Sequence, residues 1–369
     1  MPQLIQSIQI VRYSIPMHPF TIATGTMHYA QNILLIITTN QGITGYGECS
    51  AFPMIVGETQ NTCYAMAKDL APLWIGTNAL DITERMHQLH SFAAFNYTIK
   101  SAFDMALYDI AAQDAGLPLY AYLGGSSKAM VSDITVGISN ATTMAEQAAA
   151  YVANGATILK VKVGKRVQDD VANIHAIRQA IGHTVTIRID ANQGWSYSEA
   201  VEALTQLQPY NIQLCEQPMR IYDDHYLTSL MQQTTIPIMA DESVYTHYDA
   251  WRLISNQSCH SINIKLAKSG GIHEALKIIK TAQSYNIPCM MGGMLESRLA
   301  LTACAHFAAA HNGIQYYDMD TCMLGHLADP VLGGVTYNGY TVLLPQNVTG
   351  IGATVDAAYI HNCESVVIS

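Results

Sequence analysis

The chain has 369 residues, half of them hydrophobic and only 12% charged, with a formal net charge of -10. That length exceeds what one compact core usually holds, so two domains are expected, and the apolar fraction excludes a disordered chain. The acidic balance comes with no basic stripe or Lys/Arg cluster, which argues against nucleic acid or an anionic membrane as a partner.

Residues 1–12 alternate polar and apolar side chains and lack the charged start and long apolar run of a signal peptide. The longest aliphatic run, residues 33–37, is far too short to span a bilayer. Eight cysteines form no CxxC pair, and several sit in apolar runs. They read as reduced, buried thiols, so a cytoplasmic protein is expected. Residues 1–50 read as antiparallel strands. A β-rich run at 33–39, the turn Asn40-Gln41-Gly42 and a return at 43–48 carry that signal. Residues 60–122 read as helices, with clear helical periodicity over 100–112. Strands followed by helices make an α+β first domain, expected over residues 1–125 and ending at Gly124-Gly125-Ser126-Ser127.

The pattern then changes. Short β-rich runs recur with helical segments between them at 134–138, 158–163, 185–190, 212–216, 236–241, 261–266, 287–292 and 314–318. A spacing of roughly 25 residues is that of a strand–helix unit, and eight in series predict a parallel barrel over residues 126–332. The Gly-rich tail, residues 333–369, is expected to cross back to the first domain.

Charge is scarce, yet barrel strands two to six each carry it at or near their ends: Lys162, Asp190, Glu216, Asp241 and Lys265, at successive gaps of 28, 26, 25 and 24 residues. In such a barrel the C-terminal strand ends converge on one mouth. The central three are carboxylates, and oxygen-only ligands suit a hard cation such as magnesium. Isolated surface acids at helix starts would account for one of them, not for three in consecutive units flanked by lysines. Lys160 and Lys162 share a strand face, so both point into the mouth, and their mutual repulsion is expected to lower the Lys162 pKa toward that of a usable base. Lys265 faces the metal from the other side. Metal and lysine together neutralise a substrate carboxylate, which makes the adjacent C–H acidic. One lysine removes the proton and the other returns it.

The Lys-Val-Lys of the second strand, Asp190-Ala191-Asn192-Gln193-Gly194-Trp195, Glu216-Gln217-Pro218, Ala240-Asp241-Glu242-Ser243 and Asn263-Ile264-Lys265 resemble the enolase superfamily, muconate-lactonising subgroup, over essentially the whole chain. The resemblance implies a (β/α)7β TIM-like barrel under an N-terminal α+β capping domain completed by the C-terminal segment. It also implies Mg2+ and a homo-oligomer. The seventh strand has no histidine, unlike the mandelate-racemase subgroup. On the eighth, Asp318-Met319-Asp320 puts two carboxylates on one face, suited to an ammonium. In the family this pattern is similar to that of dipeptide epimerases, where the pair holds the N-terminal amine and the C-terminal residue is epimerised. A second metal ligand or a strand-end cap is the plainer reading of the pair. The resemblance further implies substrate contacts at Lys160, Thr135, Asn192, Met294 and Gly25.

Two capping-domain loops, about residues 20–29 and 52–59, are expected to close over the mouth. Ala-Glu epimerases commonly carry an arginine in the first; here it reads Thr24-Gly25-Thr26. The side chain at the epimerised carbon is therefore open between Glu, met by His18, His28 or Arg298, and an apolar group. The alternatives on the same scaffold are a muconate-type cycloisomerase or an o-succinylbenzoate synthase-like dehydratase, whose substrates lack an ammonium and leave Asp318 and Asp320 unexplained. A non-catalytic carboxylate-binding protein would need neither lysine. His87 and His90 have helical spacing but no partners that would complete a zinc site, and read as a solvated face.

Overall fold

The β-branched runs near the start of the chain form a sheet. In the computed structural model, which describes all 369 residues, Ile5–Ile22, Gly25–Thr39 and Thr44–Ser50 pair antiparallel in that order. Ser365–Ile368 then adds to the outer edge of Ile5–Ile22, with Ile8 opposite Ile368. The helices Gln60–Leu70, Ile82–Phe92 and Tyr97–Asp114 follow. Tyr97–Asp114 is buried along most of its length. It comes so close to the sheet that a Cβ on Gly47 would meet the Ala102 carbonyl oxygen at 1.8 Å, so only glycine fits there.

The first roof segment differs from the expected loop. Residues 20–25 are the tip of a hairpin, with Phe20 opposite Met27 and Ile22 opposite Gly25 around Ala23-Thr24. The ladder reaches the tip across an irregularity between Pro16 and Phe20, where two prolines interrupt the run of β-formers. The second segment is a single helical turn, Pro53–Val56, started by proline and ended by Gly57 at φ 75.

Eight parallel strands form the second sheet: Ile134–Val136, Ile158–Lys162, Thr186–Asp190, Ile212–Glu216, Ile238–Ala240, Ser261–Ile264, Cys289–Gly292 and Ile314–Asp318, in sequential order. Helical segments follow the first seven. The eighth is followed only by the short 3-10 turn Thr321–Met323, which gives the (β/α)7β pattern. Several strands end earlier than their β-rich runs, so Asp241 and Lys265 stand one residue past their strands. Side chains fix the helix starts. Ser196 with Glu199 and Thr246 with Asp249 form capping boxes, and the Asn140 side chain accepts from Thr143 N–H.

The barrel closes between its eighth and first strands with few bonds, several of them from side chains. Asp133 N–H donates to Tyr317 O at 3.1 Å, Met319 N–H to Ser132 Oγ at 2.8 Å, and Thr135 N–H to Asp320 Oδ2 at 2.6 Å.

The cap docks on the barrel through buried acids. Glu48 accepts from Ser297 N–H (2.8 Å), Ser297 Oγ–H (2.5 Å), Ala300 N–H (3.2 Å) and Asn32 Nδ2 (2.6 Å), so it sits on the N-terminus of the helix Arg298–Ala310. Asp104 likewise accepts from Ile272 and His273 N–H at the start of Ile272–Ser284. Buried carboxylates suit the positive ends of those helices. On the same side His306, fully buried, accepts from Tyr120 N–H at Nδ1 (3.1 Å) and faces the Ile351 carbonyl with Nε2 (3.0 Å).

Candidate active site

Each strand of the barrel delivers its last inward residue to the mouth. Thr135, Lys160, Lys162, Asn192, Lys265, Met294, Asp318 and Asp320 line one narrow cavity of about 40 Å³, together with Phe20, Ile22, Phe52, Ile55, Leu295 and Leu324. Eight sequence-predicted residues thus meet there. Gly25 is not among them: it packs under Met54, whose sulfur would lie 2.5 Å from a Cβ at that position. Phe20 and Ile22 of the same hairpin face the cavity instead. His87 and His90 lie on an exposed helix face. All eight cysteines are free thiols.

Asp190, Glu216 and Asp241 lie beneath the cavity, at most 1% exposed. Each has one carboxylate oxygen pinned from behind. Asn192 N–H donates to Asp190 Oδ1 (2.9 Å), Asn263 Nδ2 to Glu216 Oε1 (2.9 Å) and Lys268 Nζ to Asp241 Oδ1 (2.7 Å). The other oxygen of each faces a lysine. Lys160 Nζ is 3.0 Å from Asp190 Oδ2 and 2.8 Å from Glu216 Oε2. Lys162 is 2.6 Å from Asp190 Oδ2, and Lys265 is 2.8 Å from Asp241 Oδ2. Glu216 Oε2 and Asp241 Oδ2 nonetheless receive no properly directed hydrogen bond, although both are buried. Three pinned carboxylates whose other oxygens face lysines are, by their chemistry, a donor set that fits a hard divalent cation. The acids gathered most tightly are a different trio: Asp133, Asp318 and Asp320 have oxygens within 4.8 Å of one another.

The Glu216-Gln217-Pro218 motif has a local reason. Gln217, held at φ 35, accepts from Asp241 N–H (2.9 Å) and donates to Ser243 Oγ (2.7 Å), so the fourth strand fixes the end of the fifth. Strained backbone of this kind persists where surrounding bonds over-determine it.

Lys160 is not lowered by its like-charged neighbour. Burial alone would lower Lys160, but Asp190, Asp318 and Glu216 outweigh it and hold Lys160 well above the usual range. Lys265 is raised too, because Asp241 outweighs burial. Burial, with the Asp190 charge, pushes Glu216 up to about 7. Asp318 and Asp320 divide. Burial raises both, but Lys160 outweighs it and holds Asp318 low, while burial and the Asp318 charge push Asp320 up to about 7.

Sequence reasoning gave no role to Asn263, Lys268 or Asp133. Two of them carried a signal: Asn263 stands in a quoted motif two residues before Lys265, and Lys268 is three residues after it. Arg298, a sequence candidate for meeting a Glu side chain, is bonded elsewhere, to Asp329 (2.5 Å) and to the carbonyls of Gly333, Val331 and Val335. His18 and His28 are exposed.

Two family descriptions match the chain. "Mandelate racemase / muconate lactonizing enzyme, N-terminal domain" covers residues 5–124, and "Enolase C-terminal domain-like" covers 143–359. The chain is 44% identical over 365 residues to the D-Ala-D/L-Ala epimerase of Cytophaga hutchinsonii, covering 98% of this chain and 99% of that one. It is 39% identical to the hydrophobic dipeptide epimerase of Enterococcus faecalis, over 90% of this chain and 94% of the relative. The crystal structure of the Cytophaga hutchinsonii dipeptide epimerase, complexed with Mg and D-Ala-L-Val, superposes with a TM-score of 0.97 over 99% of this chain and 100% of its own.

Proposed function

The chain belongs to the mandelate racemase/muconate lactonizing enzyme family of the enolase superfamily, and from that premise we propose that it is a magnesium-dependent dipeptide epimerase acting on the C-terminal residue. The observation that carries this reading is the shared cavity. Lys162 and Lys265, from strands four apart, face it together above three carboxylates, with the Asp318/Asp320 pair at its side.

Asp190, Glu216 and Asp241 would hold Mg2+, which when bound neutralises the substrate carboxylate and lowers the acidity barrier at the adjacent carbon. Asp318 and Asp320 grip the N-terminal ammonium and so fix which α-carbon stands between the lysines. Lys160 bridges Asp318 to the metal carboxylates and adds positive charge where the substrate becomes more anionic. One of Lys162 and Lys265 takes the α-proton, and the other, protonated, delivers one to the opposite face. The hairpin tip and the Pro53–Val56 turn keep water from the carbanionic carbon.

The epimerised side chain is apolar. Ile22, Phe52, Ile55, Met294 and Leu295 line the cavity, and no arginine reaches it. We propose the cytoplasm as the site of the reaction, a reading that eight free cysteines support, and a homo-oligomer as the assembly, which sedimentation of the purified protein checks. No helix is long and apolar enough to cross a membrane.

The test is α-proton exchange in deuterium oxide with Mg2+ and a dipeptide library. L-Ala-L-Leu and its relatives gain one mass unit with wild type. Lys162→Ala and Lys265→Ala each lose at least about 10³-fold in epimerisation, the order expected for a general acid or base. Absence of exchange across the library sinks the reading.

A further inference from the structure

Two residues below each member of the site, on the same inward strand face, lies a second layer. Leu214 stands under Glu216, Met239 under Asp241, Met290 under Gly292 and Tyr316 under Asp318, and these four pack together. The other half of the layer is charged. Arg188 stands under Asp190 and Asp133 under Thr135, at 3% and 0% exposure. Arg188 donates to Asp133 Oδ2 at 2.8 Å and to Gln213 Oε1 at 2.7 Å, and lies 5.1 Å over the Tyr316 ring.

An ion pair buried in a barrel floor is weak evidence of stability, since packed apolar side chains serve as well. The opposite half of this floor is apolar. Asp133 is also only half satisfied: Oδ1 is buried and has no hydrogen-bond partner. What it does have is neighbours of its own sign, Asp318 and Asp320, within 4.8 Å.

A charge count says what such a trio wants. Three carboxylates face one cation of their own, Arg188 on Asp133 (2.8 Å), and a share of Lys160, which is 2.8 Å from Asp318 but also 3.0 Å from Asp190 and 2.8 Å from Glu216. Asp320 is bonded only to the neutral Thr135 N–H. The trio is short of positive charge: burial and the Asp318 charge hold both Asp133 and Asp320 above the usual carboxylate range, and a monovalent cation at the cavity's edge is the complement of that shortage. Asp133 itself does not line the cavity. It acts through space, in a medium where charges several ångström apart interact strongly.

We propose that Asp133, oriented by Arg188, is a third carboxylate of the ammonium subsite, a specificity-determining residue that makes the enzyme demand a free α-amine on its substrate. This rests on the dipeptide-epimerase reading, and the test separates the two. The probe pair is L-Ala-L-Leu and N-propionyl-L-leucine, the same molecule without the amine, with exchange followed in deuterium oxide and Mg2+.

Wild type strongly prefers the dipeptide. Asp133→Asn, which keeps an acceptor for Arg188, lowers the ratio of kcat/KM values by about tenfold, chiefly through the KM of the dipeptide. Asp133→Glu, which restores the charge, restores most of the ratio. The ratio is read within one variant, so any fall in folded fraction cancels from it. An unchanged ratio in Asp133→Asn, or equal losses on both substrates, overturns the proposal and leaves Asp133 as floor packing. No exchange by wild type on either substrate would instead overturn the epimerase reading.

Discussion

The cap meets the barrel in two unlike ways. On one side, Glu48 and Asp104 put buried carboxylates on the N-termini of two barrel helices, and His306 ties Tyr120 and Ile351 to one of them. Over the mouth, beyond a two-bond backbone bridge of Pro16 and His18 to Leu327 and Gly325 at the hairpin's base, the contacts are single and neutral. Tyr245 Oη donates to Ile55 O at 2.8 Å, and Ile138 N–H donates to Thr21 O at 3.0 Å. The first arrangement breaks only at high cost; the second breaks one bond at a time. A cap built this way is anchored where it must stay and compliant where a substrate must enter and be selected.

Glu48→Ala is the severest way to break the contrast. It strands the donors of Asn32, Ser297 and Ala300 in a buried junction, at about 4 kcal/mol, and chemical denaturation should show the whole chain weakened. Next comes acid. Burial pushes His306 down to about 4 from its ordinary 6.5, so the folded chain holds it neutral while the unfolded chain protonates it. Its contribution is present above about pH 6.5 and lost as pH falls toward 4, up to about 3 kcal/mol. Denaturation of His306→Gln beside wild type isolates this dependence, because buried acids raised in the fold, such as Asp109, drift the opposite way in both proteins. A difference between the two proteins that does not change between pH 4 and 6.5 would remove His306 from the anchor.

The roof should respond in selectivity instead. Ile22→Arg places a guanidinium over the cavity and should raise the preference for L-Ala-L-Glu over L-Ala-L-Leu on the order of 30-fold, with little change in stability. The smallest effect belongs to Tyr245→Phe. It removes one bond to the roof turn and should raise KM about threefold, while costing the fold less than about 1 kcal/mol. If it instead destabilised the chain as Glu48→Ala does, roof and anchor would not be different kinds of contact.

What could be read from the residues follows the same division. The strand-end series Lys162, Asp190, Glu216, Asp241 and Lys265 was legible because a repeating unit writes its own period and because charge is rare here. Asp318 and Asp320 were legible because alternation on a strand puts them side by side. Glu48 and Asp104 were not, since each satisfies donors more than 160 residues away and nothing local marks that debt. How far the strands run toward the hairpin tip was not legible, because the ladder crosses Pro16 and Pro19 and an irregularity between Pro16 and Phe20. Asp133 and Arg188 were invisible because a buried charge just before or inside a strand has no sequence signature until the barrel shows which face is inward.

The strand Ser365–Ile368 lies beside residues 8–11, so the outer edge of the first sheet is completed by residues made long after it. During synthesis at about 5–20 residues per second, that edge waits roughly 20–70 s with its backbone groups open to any passing strand. The protein thus begins its life with an unfinished seam that only a segment far along its own chain can close.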